Sequence, residues 1–302
     1  MRWLAPAKIN LHLRVGKRRN DGFHPLCSWM VTVGLFDRLI LKRDPSGFSF
    51  RCDDATIPAD DRNLVVKAAR SFAKAAALKP EQLGCSVTLL KSIPHGSGLG
   101  GGSSDAATAL VALNQLFGSG WTEGQLMDVG ATIGSDVPFF FRGPSASITG
   151  RGEVVKPLAL PGVKWAVLVL PPMQVSTADC YGQFDAMELG KGLGDDGVLA
   201  EPDFAQWTGL NAADLSARLV NDLEPPAFAL QPNLAALRDR IEADTKHVVR
   251  MSGSGSTLFV LADESTEAGD IAATVQRNCG IRATAVQLAP DLRVHDADSA
   301  SE

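Results

Sequence analysis

The chain of 302 residues contains a single tyrosine, Tyr181, and only five cysteines: Cys27, Cys52, Cys85, Cys180 and Cys279. The cysteines are odd in number, lie far apart and form no CxxC pair or metal-ligand spacing. That pattern excludes a disulfide framework and points to free thiols in a reducing, cytoplasmic compartment. No long basic run occurs and the net charge is −5, which excludes a protein that holds nucleic acid by its backbone. No apolar run approaches the roughly 18 residues of a membrane span. The N-terminal MRWLAPAKINLHLRV is too interrupted to read as a signal peptide. There is no internal repeat, and the phosphate-binding pattern GxxxxGK[ST] is missing.

What is present is enough apolar residue, 45% against 21% charged, to bury a core across two domains of ordinary size. One stretch organises the rest. Pro94, His95, Gly96, Ser97, Gly98, Leu99, Gly100, Gly101, Gly102, Ser103 and Ser104 form a loop in which five of the seven residues from Gly96 to Gly102 are glycine. Glycine enters left-handed backbone regions without steric cost, so such a run can turn its amides onto a ligand. Ser103, Ser104 and Asp105 read as the start of a helix whose buried face carries Ala106, Leu110, Leu113 and Phe117. A glycine loop opening a helix collects unpaired N–H groups and the positive dipole end at one spot, a site for phosphate. Gly96–Gly101 matches GxGxxG, but Pro94 and His95 interrupt the strand that a dinucleotide fold requires. The acid about 20 residues on, Glu123, sits in a polar turn. The plain alternative, a flexible linker, does not lead straight into an amphipathic helix.

Along the chain, Ala7–Val15 alternates as a half-buried strand, with Lys8, Asn10, His12 and Arg14 on its polar face. Lys17–His24 is a turn pivoting on Asp21-Gly22. Ser28–Lys42 reads as strand and Asp44–Asp61 as loop with a short strand. Asn63 caps a helix that buries Leu64, Ala68 and Phe72. Cys85–Ile93 is a strand delivering the chain to the glycine loop; Lys91 near its end reads as a solvated strand-end charge. Thr122 and Gln125 form a capping box for a helix with Leu126, Val129 and Ile133 inward, ended by Gly134. Asp136 follows, a turn-capping residue or an acid with chemistry to perform. Pro138 and three phenylalanines read as a buried strand.

A boundary falls near Pro157–Gly162, giving an N-terminal domain over 1–157 and a second over 158–290. The second half reads as strand Val163–Leu170, a helix from Ser176-Thr177 to Met187 and a glycine-rich loop over Gly190–Pro202. Helices over Ala212–Val220 and Asn233–Ala243 follow. Strands over Val248–Met251 and Thr257–Ala262 flank a Ser252–Ser256 turn (SGSGS), which either supports a cleft or is a tight turn with no ligand. Helix Glu267–Asn278 and strand Arg282–Leu288 complete a split βαβ of ferredoxin-like type. The polar tail, 291–302, reads as disordered. The fold class is α+β.

Three blocks, APAKINLHLRV, PHGSGLGGGSSDAA and RMSGSGSTLFVL, resemble the galactokinase–homoserine kinase–mevalonate kinase–phosphomevalonate kinase superfamily. DGFH at Asp21–His24, IGSDVPFF at Ile133–Phe140, RGPSASITGRGE at Arg142–Glu153 and NDLEPP at Asn221–Pro226 make the likeness closest to the 4-diphosphocytidyl-2-C-methyl-D-erythritol kinase family, over about Ala5–Leu288. The resemblance implies an N-terminal α+β domain and a ferredoxin-like C-terminal domain with the active site between them. It implies ATP and Mg²⁺, and a small-molecule acceptor carrying cytidine diphosphate in the non-mevalonate isoprenoid pathway. Carried onto matching positions, Pro94–Ser104 wraps the ATP phosphates and Asp136 takes the acceptor's hydroxyl proton. Lys8 lies beside that acid; a neighbouring ammonium favours and orients a carboxylate. Asn10 contacts the acceptor, His24 reads the cytosine edge, and Phe23 and Tyr181 flank the ring, Phe23 replacing the family's commoner tyrosine. Asn63 and Lys91 border the nucleotide. Mg²⁺ prefers oxygen ligands, and Ser103, Ser104 or Asp105 is within reach of it in sequence. The alternatives are a mevalonate or homoserine kinase, against which DGFH and GSDVP argue, and a nucleotide-binding regulator without chemistry, against which Lys8 with Asp136 argues.

Overall fold

The structure is a computed structural model, and it describes residues 1–78, 82–191 and 199–291. The polar tail beyond 291 and the middle of the glycine-rich loop expected over Gly190–Pro202 lie outside the described residues.

The first half of the chain builds a mixed sheet from β1 (Arg2–Val15), β2 (Leu26–Arg43), β3 (Ser49–Cys52), β4 (Cys85–Leu90), β5 (Ser145–Thr149) and β6 (Val154–Pro157). Its order is β3-β4-β2-β5-β6, with β1 antiparallel to β2. Helices α1 (Leu64–Ala75), α2 (Gly101–Phe117) and α3 (Glu123–Ala131) cover one face. Val65, Phe72, Leu110 and Leu113 there meet Leu39, Leu41, Val87 and Leu89 of the sheet. Asn63 caps α1 by accepting the Val65 N–H, and Thr122 with Gln125 forms the capping box of α3. Both follow from short polar side chains that reach unpaired helix-start amides.

The second half folds β7 (Trp165–Leu170), α5 (Thr177–Ala186), α6 (Phe204–Trp207), α7 (Ala212–Arg218), α8 (Glu224–Leu230), α9 (Pro232–Thr245), β8 (Val249–Met251), β9 (Leu258–Ala262), α10 (Ser265–Cys279) and β10 (Arg282–Gln287), after the short α4 (Phe139–Arg142) of the first half. Its sheet runs β10-β7-β9-β8, antiparallel throughout, the arrangement of a split βαβ unit. The α+β, two-part architecture expected from the sequence is the one observed.

The two sheets share one apolar layer. Ile9, Leu11, Trp29 and Val31 of the first pack with Leu168, Phe259 and Leu261 of the second and with Phe204 of α6 and Leu215 of α7. This changes the reading of β1. Its apolar side faces the second sheet, while Lys8, Asn10 and His12 are 4%, 2% and 3% exposed rather than solvated. Lys8 and Asn10 line a cleft beside the glycine loop, while His12 is covered by the Phe204 and Trp207 rings.

Four local expectations are corrected. The helix after the glycine loop begins at Gly101, not at Ser103, with Gly100 as a left-handed cap (φ 67°) and no side-chain cap. The next helix ends at Ala131 with Thr132 as its cap, before Gly134. The phenylalanine run after Pro138 is the helical turn α4, not a strand. Phe139 joins the cluster of Met30 and Ile148, Phe141 packs against the α1–α2 core, and Phe140 touches both; side chains 100° apart serve such divergent neighbours, whereas a strand alternates by 180°. The NDLEPP stretch opens α8, with prolines in its first turn, where a missing N–H costs nothing. Among the described residues, no helix is long and apolar enough to cross a membrane, and all five cysteines are unpaired.

Candidate active site

A cleft of about 360 Å³ opens between the two halves. Its walls are Lys8 and Asn10 from β1, most of the glycine loop, Asp136, and Thr177, Tyr181, Gly253 and Ser254 from the second half. Ile57, Pro58, Asn63, Leu64 and Lys91 close one end.

The glycine loop owes its path to three left-handed residues, Gly96 (φ 66°), Gly98 (φ 80°) and Gly100 (φ 67°). Leu99 between them turns into the core and is 1% exposed. Because α2 starts at Gly101, the N–H groups of Gly101, Gly102 and Ser103 precede the first intrahelical bond, which Ser104 N–H makes to Gly100 C=O at 2.9 Å. They sit at the positive end of a helix 17 residues long, on the cleft wall.

Beside the loop the Lys8 ammonium donates to Asn10 Oδ1 at 2.6 Å and lies 3.4 Å from Asp136 Oδ2. Asn10 in turn donates from Nδ2 to Ser28 Oγ at 2.8 Å, so its amide orientation is determined at both ends. Lys8 is buried, whereas a third of the Asp136 side chain is exposed. A rigid cation thus holds an acid that a ligand can reach.

Lys91 is neither solvated nor free. Its ammonium lies between the carboxylates of Asp37 and Asp105, 3.0 Å from the latter. Burial works against the lysine's charge, but the two acids push its pKa above the ordinary value. Burial likewise pushes Asp105 up to about 8, against the pull of Lys91 and with a further push from Asp37. Asp37 Oδ1 also accepts the Ser92 and Ile93 N–H groups, so the cluster braces the turn that enters the glycine loop. Asp105 Oδ1 and Ser104 Oγ are buried without a hydrogen-bond partner.

The residues expected around the acceptor's base are split. Tyr181 lines the cleft, and burial followed by the nearby Asp136 charge raises its pKa, keeping it a neutral phenol. The His24 ring packs 5.1 Å from the Tyr181 ring, with Nδ1 at 2.9 Å from Gly16 O and Nε2 at 3.5 Å from Asp185 Oδ1. Phe23 is not among the residues lining the cleft; it is 52% exposed, with the Arg151 guanidinium 5.0 Å over its ring. Thr177 and Ser254, joined through their hydroxyls at 2.9 Å, were not anticipated as cleft residues. The only signal for them was the helix-start serine Ser176 and the SGSGS turn. Among the described residues no group of three histidine, cysteine or acidic side chains is placed to hold a metal.

Two family models match the chain, that of the GHMP kinases N terminal domain over residues 63–144 and that of the GHMP kinases C terminal over 202–281. A 4-diphosphocytidyl-2-C-methyl-D-erythritol kinase of Syntrophus aciditrophicus is 38% identical over 268 residues, 88% of this chain and 91% of the relative. One of Shouchella clausii is 36% identical, covering 88% and 87%. The solved structure of a 4-(cytidine 5'-diphospho)-2C-methyl-D-erythritol kinase superposes with a TM-score of 0.76 at 35% identity, over 96% of this chain and 100% of the other. A mevalonate kinase structure shares the fold at a TM-score of 0.71 and 11% identity.

Proposed function

The chain belongs to the GHMP kinases and, within them, to the 4-diphosphocytidyl-2-C-methyl-D-erythritol kinase family, and from that premise we propose that it phosphorylates the 2-hydroxyl of 4-diphosphocytidyl-2-C-methyl-D-erythritol with ATP, in the reducing cytoplasm, as a step of non-mevalonate isoprenoid precursor synthesis. The observation that carries the reading is the Lys8–Asp136 pair set directly beside the glycine loop in one cleft. A binding module needs phosphate-facing amides but no exposed acid braced by a buried ammonium.

In this reading the loop amides and the α2 N-terminus hold the nucleotide's phosphates. Asn63 and Lys91 border its other end. Asn10 and Thr177 orient the acceptor. Asp136 accepts the proton of the acceptor hydroxyl as its oxygen forms a bond to the γ-phosphorus and the bond to the ADP oxygen breaks. Lys8 keeps Asp136 aimed and offsets charge growing at the hydroxyl oxygen. Such a reaction asks for positioning and charge neutralisation more than covalent help. Tyr181 and Phe23 flank the cytosine, and His24 reads its edge.

Mg²⁺ fits the donors present: the unpartnered Asp105 Oδ1 and Ser104 Oγ are hard oxygens of the kind it takes. Asp105, with the neighbouring Ser103 and Ser104 hydroxyls, would hold it, and when bound it neutralises phosphate charge. The deciding experiment incubates purified protein with ATP and Mg²⁺ against three acceptors: the diphosphocytidyl sugar alcohol, mevalonate and homoserine. Phosphorylation of the first alone is expected. Turnover of another acceptor in its place, or of none, overturns the assignment.

A further inference from the structure

Three successive carbonyls of the glycine loop are held from behind. Ser97 C=O accepts the Thr257 N–H at 3.1 Å, Gly98 C=O accepts the Ser252 hydroxyl at 2.9 Å, and Leu99 C=O accepts the Lys8 N–H at 2.9 Å. In a planar trans peptide the N–H points opposite to the C=O. Holding these carbonyls on the β1 and second-sheet side therefore sends the N–H groups of Gly98, Leu99 and Gly100 the other way, toward the cleft that Gly98 and Gly100 line. Left-handed glycines at alternate positions are what gives such a row of amides its concave shape.

Two of the three carbonyls are held by backbone amides, which any sequence supplies. The middle one depends on a side chain. Ser252 is fully buried at the start of the SGSGS turn. Its Oγ donates to Gly98 C=O and accepts the Asn10 N–H at 3.2 Å. The turn is itself braced, by Ser252 N–H on Thr257 C=O and by Asn221 Nδ2 on Met251 and Gly253 C=O. It also touches the loop directly: a β-carbon at Gly98 would lie 2.1 Å from Ser252 O. With the hydroxyl removed, the Gly98 C=O loses its hydrogen-bond donor, and the Gly98–Leu99 peptide can rotate about the Gly98 ψ, which glycine leaves freer than any other residue. A rotated peptide would present a carbonyl to the phosphates in place of an amide.

We infer that Ser252 is a positioning residue for the nucleotide: its hydroxyl sets the Gly98–Leu99 peptide plane, aims the Leu99 N–H at the phosphates, and ties that aim to the strand carrying Asn10. The inference rests on the kinase reading above. It gives the second half of the chain a part in phosphate binding without contact to phosphate.

The test compares ligands that differ only in phosphate. Ser252→Ala and the parent are titrated calorimetrically with adenosine, ADP and ATP. A lost amide–phosphate hydrogen bond corresponds to roughly 10–100-fold in affinity, so ATP and ADP should weaken by that factor while adenosine binds as in the parent. Unchanged ATP affinity overturns the inference. So does an equal loss for adenosine and ATP, which marks a merely structural role. A parent that binds no ATP at all would sink the kinase reading instead. Because the alanine variant leaves a buried carbonyl unpaired, amide exchange on the full-length parent gives a second, independent result. The Leu99 amide should exchange readily without ligand and become protected on ADP binding; no change on binding overturns the inference equally.

Discussion

Lys8 and Asp136 meet at 3.4 Å with unequal access to solvent, the ammonium 4% and the carboxylate 33% exposed. The lysine is engaged with Asn10 and the acid, and the acid is the more accessible of the two to a ligand. Asp136→Asn keeps the shape and removes the base. Turnover should fall about 10²–10⁴-fold, while calorimetric ATP affinity stays within a factor of two or so, since the loop amides are untouched. A variant that turns over normally would remove Asp136 from proton transfer.

The glycines of the loop are not equivalent, and the structure ranks them. Gly100 is left-handed, and a β-carbon there would lie 2.9 Å from Lys8 Cγ and 3.3 Å from Phe140. Alanine at this position carries about 1–2 kcal/mol of backbone strain and presses on the lysine. Gly102 is not left-handed, and its β-carbon would meet Leu64 at an ordinary 3.5 Å. Gly100→Ala should weaken ATP binding at least severalfold, and Gly102→Ala much less. Equal affinities measured for the two variants would mean that the loop's left-handed turn does not matter for the nucleotide.

Tyr181 lines the cleft and packs on His24, while Phe23 is exposed and outside the cleft lining. A base stacked on an aromatic ring gains about 1–3 kcal/mol by alanine substitution. Tyr181→Ala should therefore cost roughly one to two powers of ten in kcat/KM for the cytidine-bearing acceptor and leave the KM for ATP alone. The uridine form of the acceptor, which exchanges an amino donor for a carbonyl, should be used far less well. Steady-state kinetics with both acceptors would expose a site that ignores the base.

His12 makes folding stability sensitive to acid. Burial, then the charges of Arg14 and Arg250, lower its pKa to about 4 from an ordinary 6.5. Its ring lies against Phe204 and Trp207, and its Nδ1 accepts the Val220 N–H at 3.3 Å. The unfolded chain takes up this proton at higher pH than the folded one. The stabilising effect is thus complete above about pH 6.5 and is lost progressively as pH falls to 4, by roughly 3 kcal/mol. Urea unfolding at pH 7, 5.5 and 4 should show that decline, and His12→Gln should flatten it. Parallel pH profiles for the two proteins would locate the acid sensitivity elsewhere.

Much of this molecule was legible from local pattern. The alternation of AKINLHLRV, the capping residues Asn63, Thr122 and Ser176, and the glycine run each act within a few residues of themselves, where spacing and backbone freedom decide the outcome. The second sheet followed from the succession of strand and helix signals. What one chain's order cannot encode is which neighbour arrives from afar. Lys91 looked equally suited to water or to a nucleotide until Asp37 and Asp105 closed on it. The phenylalanines after Pro138 looked like a strand until two separate clusters pulled them apart. Lys8 and Asn10 looked like a solvated face until the glycine loop and the Ser252 turn closed against them. The SGSGS turn read equally as a cleft support or a tight turn until Ser252 met Gly98. Local sequence determined the elements and the loop that offers amides. Tertiary packing alone decided where those amides point and which acid is left exposed, because both depend on desolvation and hydrogen bonds between residues remote in the chain.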